Sequence, residues 1–147
     1  MCIRDRAGST IYQTQPLGRP DQPAFYNGVW QARTAVSPRD LKFRILRAIE
    51  DELGRVRTDD RYAPRPMDLD LIAYGDLVSE ETDLTIPDPD IFSRGFVAIP
   101  LLELAPDFVV PGTGEKLSSL AVAHTKDGMV KLPAYTKTLR DRLNQDN

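Results

Sequence analysis

Arg61-Tyr62-Ala63-Pro64-Arg65-Pro66-Met67-Asp68-Leu69-Asp70-Leu71-Ile72 sets an Asp-x-Asp pair on an apolar run shortly after a Pro-Arg-Pro turn. In a strand, side chains alternate between faces, so Asp68 and Asp70 share one face while Met67, Leu69 and Leu71 pack behind them. Two carboxylates projecting together make poor core and a good site for a hard cation. Mg²⁺ takes one or two carboxylates and leaves its other positions to water and substrate phosphates. Arg55, Arg57, Arg61 and Arg65 lie around and upstream of the pair, and a guanidinium fork matches phosphate oxygens. Metal-ligating carboxylates beside an arginine cluster point to phosphoryl chemistry.

The remaining sequence narrows the class. The chain has 147 residues, about one domain, with 41% hydrophobic and 28% charged residues, as in a soluble globular protein. A net charge of -3 and a pI near 5.2 argue against a nucleic-acid surface. No apolar run approaches the roughly 18 residues of a membrane span, and no secretory segment opens the chain. Cys2 is the single cysteine, so no internal disulfide forms and a reducing cytoplasm is the expected setting. The opening Met-Cys-Ile-Arg-Asp-Arg-Ala connects to nothing that follows, so residues 1–8 are expected to be a non-native or disordered leader, with one domain over 9–147.

Along that domain, Ser9 to Thr14 and Asn27 to Val36 read as strands around a proline-rich loop. Ser37 as N-cap, Pro38 in the first turn and Gly54 as stop bracket a helix, with Leu41, Ile45, Leu46, Ile49 and Leu53 on one stripe. Asp68 to Ala73 reads as the metal-bearing strand, followed by a turn, a short strand near Leu77 and Val78, and another at Leu84 to Ile86. Phe96 to Leu104 reads as a helix containing Pro100, Leu117 to Ala123 as a short helix, Met129 to Leu132 as a strand, and the remainder as a polar tail. Trp30 reads as core and His124 as a surface residue. The short connection after the metal strand suits antiparallel pairing, which predicts an α+β sandwich with an antiparallel sheet. Neither a Walker-type loop nor Gly-x-Gly-x-x-Gly is present.

The stretch Arg61 to Ile72 resembles the signature of the 6-hydroxymethyl-7,8-dihydropterin pyrophosphokinase family of folate-pathway enzymes. It carries a basic residue, a spacer, a small residue, Pro-Arg, two spacers, Asp-Leu-Asp and two aliphatics. Two further segments agree: Tyr12 to Gly18 with Gln22, Phe25 and Asn27, and Arg94-Gly95-Phe96 with Pro100-Leu101 and Glu103-Leu104-Ala105-Pro106. The resemblance runs from Ser9 to Leu120. It implies a ferredoxin-like αβ sandwich and transfer of the terminal pyrophosphoryl group of ATP to the pterin's hydroxymethyl oxygen, with release of AMP.

By that resemblance Asp68 and Asp70 hold two Mg²⁺ ions, and Arg55 and Arg65 act on the transferring phosphates. Arg57 and Arg94 lie near the nucleotide, and Glu50, Leu71 and Thr85 contact its adenosine portion. Thr14, Leu17, Phe25, Asn27 and Phe96 form the pterin pocket. The implied partners are these small molecules, with no nucleic acid or membrane, and the implied form is a cytoplasmic monomer. The sequence departs from the pattern in three places. Asp88-Pro89 stands where the family has a histidine, Tyr62 replaces a tryptophan, and the family's opening strand, Gly-Ser-Asn turn and helix are missing, so the chain is expected to be N-terminally truncated. The alternatives are an inactive fragment that at most binds nucleotide or a partner, and another Mg²⁺-dependent nucleotidyl- or glycosyltransferase sharing only Asp-x-Asp.

Overall fold

A computed structural model describes residues 3–14, 25–54, 67–124 and 128–145. Two β-pairings arrange the first two described stretches as one antiparallel ribbon. Strand β1 (Ile3–Gly8) pairs with β4 (Trp30–Thr34), and β2 (Tyr12–Thr14) pairs with β3 (Phe25–Asn27). An extra residue enters the first arm between Gly8↔Trp30 and Tyr12↔Asn27. Ser9 absorbs it: its N–H donates to Val29 O at 2.9 Å, and its hydroxyl accepts from Val29 N–H at 2.9 Å. Gly28 permits this approach, because a Cβ there would stand 2.6 Å from Ile11 Cδ1. Ile3–Gly8, within the expected leader, pairs into the ribbon. β7 (Val130–Lys131) adds to the other edge of β2, and β5 (Ser79–Glu81) forms a separate hairpin with β6 (Leu84–Ile86).

The helix after the ribbon begins where its cap residues predict. Ser37 Oγ accepts from Asp40 N–H at 3.2 Å, satisfying a donor that helix geometry leaves unpaired. The helix runs through α1 (Pro38–Asp40), a π-helical stretch (Leu41–Leu46) and α2 (Arg47–Glu52), and Gly54 leaves it with φ 86°. The wider π winding moves side chains off the 3.6-residue stripe, and Leu53 is exposed.

The main core lies in the second half of the chain. Helices α3 (Asp90–Ser93), α4 (Gly95–Leu104) and α5 (Leu117–Val122) enclose Ile91, Val97, Ala98, Leu101, Val110, Leu117 and Ala121. Each large aliphatic buried there contributes about 1.5–3 kcal/mol of transfer free energy. The expected polar tail is instead a helix, α6 (Pro133–Gln145). Its Thr136 hydroxyl accepts from Ile11 N–H at 2.8 Å, its Arg140 Nε donates to Gly8 O at 3.1 Å, and Leu143 is buried. The first arm of the ribbon, α4 and α6 meet at Glu103, which accepts from Tyr12 OH at 2.6 Å and Thr10 N–H at 2.9 Å and lies 3.8 Å from Arg140 Nη2. Burial alone would raise the Glu103 carboxyl. These donors overcome that effect and hold it below its usual range, while burial and the Glu103 contact push the Tyr12 phenol up.

The protein is thus an α+β fold whose described strands pair antiparallel. No helix among the described residues is long and apolar enough to cross a membrane. Trp30, expected in the core, is 58% exposed: the described residues place no layer over β4. The short strand expected near Leu77 and Val78 starts two residues later, at Ser79.

Candidate active site

Met67 to Tyr74 form a strap between α2 and the β6–α3 turn. The strand expected at Asp68 to Ala73 makes no ladder among the described residues, yet its side chains keep the expected alternation: Asp68 and Asp70 are exposed, while Leu69 and Leu71 are half-buried. Met67 departs from it, at 43% exposed. Three contacts replace a ladder. Leu69 N–H donates to Glu50 Oε2 at 3.0 Å, Ile72 O accepts from Asp88 N–H at 2.8 Å, and Tyr74 OH donates to Val36 O at 2.6 Å.

The strap is strongly acidic. Partial desolvation, with the negative charge of Asp68, Asp88, Glu50 and Asp90, pushes the Asp70 carboxyl up to about 6. Burial likewise raises Asp88, offset in part by the Asp90 N–H that its Oδ1 accepts at 2.8 Å and by Lys42. Carboxylates gathered in this way suit a hard dication, since every donor atom is an oxygen and their mutual repulsion around Asp70 favours a positive guest. Among the described residues no three acidic, His or Cys side chains form a protein-only metal cage. Mg²⁺ keeps positions for water and phosphate, and Asp68 and Asp70 are the residues that would hold it.

The other expected site residues fall into three groups. Thr14, Phe25 and Asn27 converge: Thr14 lies directly across from Phe25, Asn27 Nδ2 donates to Thr14 Oγ1, and all three share one face of the ribbon. Thr14 is buried and Phe25 is 38% exposed, an aromatic with a free surface beside two amide- and hydroxyl-bearing neighbours. Glu50 and Leu71 adjoin the acid pair, Glu50 through its bond to the strap. Arg94, at the N-terminus of α4, sits 3.9 Å from Asp90 Oδ1, and its buried Nε has no hydrogen-bond partner among the described residues. Phe96 packs against the core of α3 to α5, and Thr85 is exposed on β6 with its hydroxyl donating to Glu81 O at 3.1 Å. Arg55, Arg57, Arg65 and Leu17 lie outside the described residues. Asp90 joins the acid group as well. Its place in the acid group follows from the β6–α3 turn, whose Asp-Pro-Asp spacing was the available signal.

An α+β fold with an Asp-x-Asp strap beside a helix-borne carboxylate defines an acidic-site protein suited to a hard cation. Residues 2–106 match the family model of 7,8-dihydro-6-hydroxymethylpterin-pyrophosphokinase, and the chain belongs to that family. It is 43% identical over 112 residues to 2-amino-4-hydroxy-6-hydroxymethyldihydropteridine pyrophosphokinase of Synechocystis, covering 76% of this chain and 56% of that protein. The Pseudomonas aeruginosa protein of the same name is 42% identical over 127 residues, covering 86% of this chain and 76% of its own length. Folic acid synthesis protein fol1 of Pneumocystis carinii is 42% identical over 111 residues, 76% of this chain but 15% of that longer protein.

Proposed function

We propose that the chain transfers pyrophosphate from ATP to 6-hydroxymethyl-7,8-dihydropterin, acting in the cytoplasm as a monomer on small molecules alone. In this reaction the hydroxymethyl oxygen bonds to the β-phosphorus as the bond to the α–β bridging oxygen breaks. AMP leaves with that electron pair and the hydroxyl proton is released. The observation that carries the reading is the strap, where two carboxylates face outward and the residue between them turns in. Two Mg²⁺ ions, when bound, supply charge neutralisation for the triphosphate.

The chain's own residues supply alignment, the main requirement when a primary alcohol attacks phosphorus. Thr14 and Asn27 offer edge hydrogen bonds to a flat heterocycle, with Phe25, and Phe96 from α4, to stack on it. Leu17 completes that pocket. Glu50, Leu71 and Thr85 serve the adenosine side, Arg57 and Arg94 the nucleotide, and Arg55 and Arg65 the phosphates. Asp88 favours a second reading, nucleotide binding without transfer, because a carboxylate in the acid group repels a triphosphate. The test is AMP formation from ATP, Mg²⁺ and the hydroxymethyl pterin. Pterin-dependent AMP supports transfer. Stabilisation by a nucleotide with no AMP supports the second reading, and stabilisation by sugar nucleotides instead of pterin rejects both.

A further inference from the structure

We infer that Glu50 is a positioning residue: by accepting the Leu69 N–H, its carboxylate sets the outward aim of Asp68 and Asp70. The inference rests on the reading of those aspartates as the metal and nucleotide site. It starts from an inversion in the helix that carries Glu50. Across α1, the π-helical stretch and α2, Glu50 is the one buried side chain, 6% exposed, while Leu41, Ile45, Leu46 and Ile49 are only half-buried. Burying a carboxylate is unfavourable unless hydrogen bonds offset the lost hydration. Glu50 also adds to the negative charge around Asp70. An aliphatic residue would serve packing better at this position, so a glutamate here is explained by what its carboxylate accepts, including the Leu69 N–H.

That contact falls on the amide between the two aspartates, at 3.0 Å. Along an alternating backbone, fixing Leu69 inward turns both neighbours outward together. In a sheet, ladder bonds would enforce this. The strap makes no ladder among the described residues, where the Glu50, Asp88 and Tyr74 contacts hold it instead, and of these three Glu50 reaches the backbone of the Asp-Leu-Asp triplet itself. A charged acceptor also holds an amide more strongly than a neutral one.

The experiment compares wild type with Glu50→Leu, which fills similar volume without an acceptor, and Glu50→Gln, which keeps an acceptor oxygen and leaves no cavity. Two readouts need no turnover: hydrogen exchange of the Leu69 amide in metal-free protein, and Mn²⁺ affinity in the absence of nucleotide, where an adenosine contact of Glu50 plays no part. In Glu50→Leu, Leu69 exchange is expected to accelerate by about tenfold or more, and Mn²⁺ affinity to fall by about tenfold or more, with Tm unchanged or higher. Glu50→Gln should retain most of the protection and most of the affinity. Wild-type protection in Glu50→Leu would overturn the inference, as would unchanged Mn²⁺ affinity after protection is lost. Intact protection with lost affinity in Glu50→Gln would also overturn it, since Glu50 would then act by charge. Absence of AMP formation in the wild type would sink the proposed function alone, because the exchange measurement still decides the role of Glu50.

Discussion

The strap at Met67 to Tyr74 and the helical core at α3 to α5 are neighbours in sequence and opposites in construction. The core buries aliphatic side chains such as Ile91, Val110 and Leu117 completely and carries no charge among its buried residues. The strap exposes two carboxylates and draws on three more acidic residues around Asp70. Ile72 joins the two, packing against the core while its carbonyl takes the Asp88 N–H. The core is arranged for stability. The strap gathers like charge around Asp70, an arrangement that costs stability and is expected where a site is prepared for a guest.

The comparison breaks most sharply if the aspartates are removed. Asp68→Ala/Asp70→Ala should reduce AMP formation about a thousandfold or more while Tm stays the same or rises. A matching fall in Tm would show that the strap is structural. From the other side, Leu117→Ala should cost about 2–5 kcal/mol, read as a Tm loss on the order of 10 °C, with Mg²⁺–nucleotide affinity preserved below the transition. A smaller effect concerns pH. Asp70 is raised in the fold to about 6, against its usual 3.8, so the folded state binds the extra proton between those values. The contribution of Asp70 to metal-free stability should therefore fall as pH rises from 4 to 6 and level off above, so the stability difference between wild type and Asp70→Asn should change across that range in favour of the variant. Denaturant titrations across that range measure it. The least effect is expected at the Glu103 junction, where Tyr12→Phe should cost about 1 kcal/mol and leave Mn²⁺ binding alone.

What could be read from the sequence was what is local. Ser37, Pro38 and Gly54 mark their helix because caps and stops act within one turn, and Leu84–Ile86, α4 and α5 follow the same logic. The alternation of Asp68, Leu69, Asp70 and Leu71 was legible, whereas the shared face of Thr14, Phe25 and Asn27 comes from the pairing of β2 with β3. What could not be read was non-local. The pairing of Ile3–Gly8 depends on β4, more than twenty residues away, and whether the strap joins a ladder, which it does not among the described residues, depends on partners that no local pattern names. α6 was hidden because its inward stripe contains the hydroxyl of Thr136 and only a few aliphatics. Pro133 in the first turn and the Lys137–Asp141 pair were the signals available for it. The role of Glu50 toward Leu69 was invisible for the same reason, since a buried glutamate is indistinguishable in sequence from a solvated one.

The most direct test is thermal unfolding of wild type and Asp70→Asn, each with and without Mg²⁺ plus α,β-methylene-ATP. The account predicts that ligand-free Asp70→Asn melts a few degrees above wild type and gains little from the ligand, while wild type gains clearly. A ligand-free variant melting below wild type, or a ligand shift as large as the wild type's, would contradict a strap that gives up stability to bind.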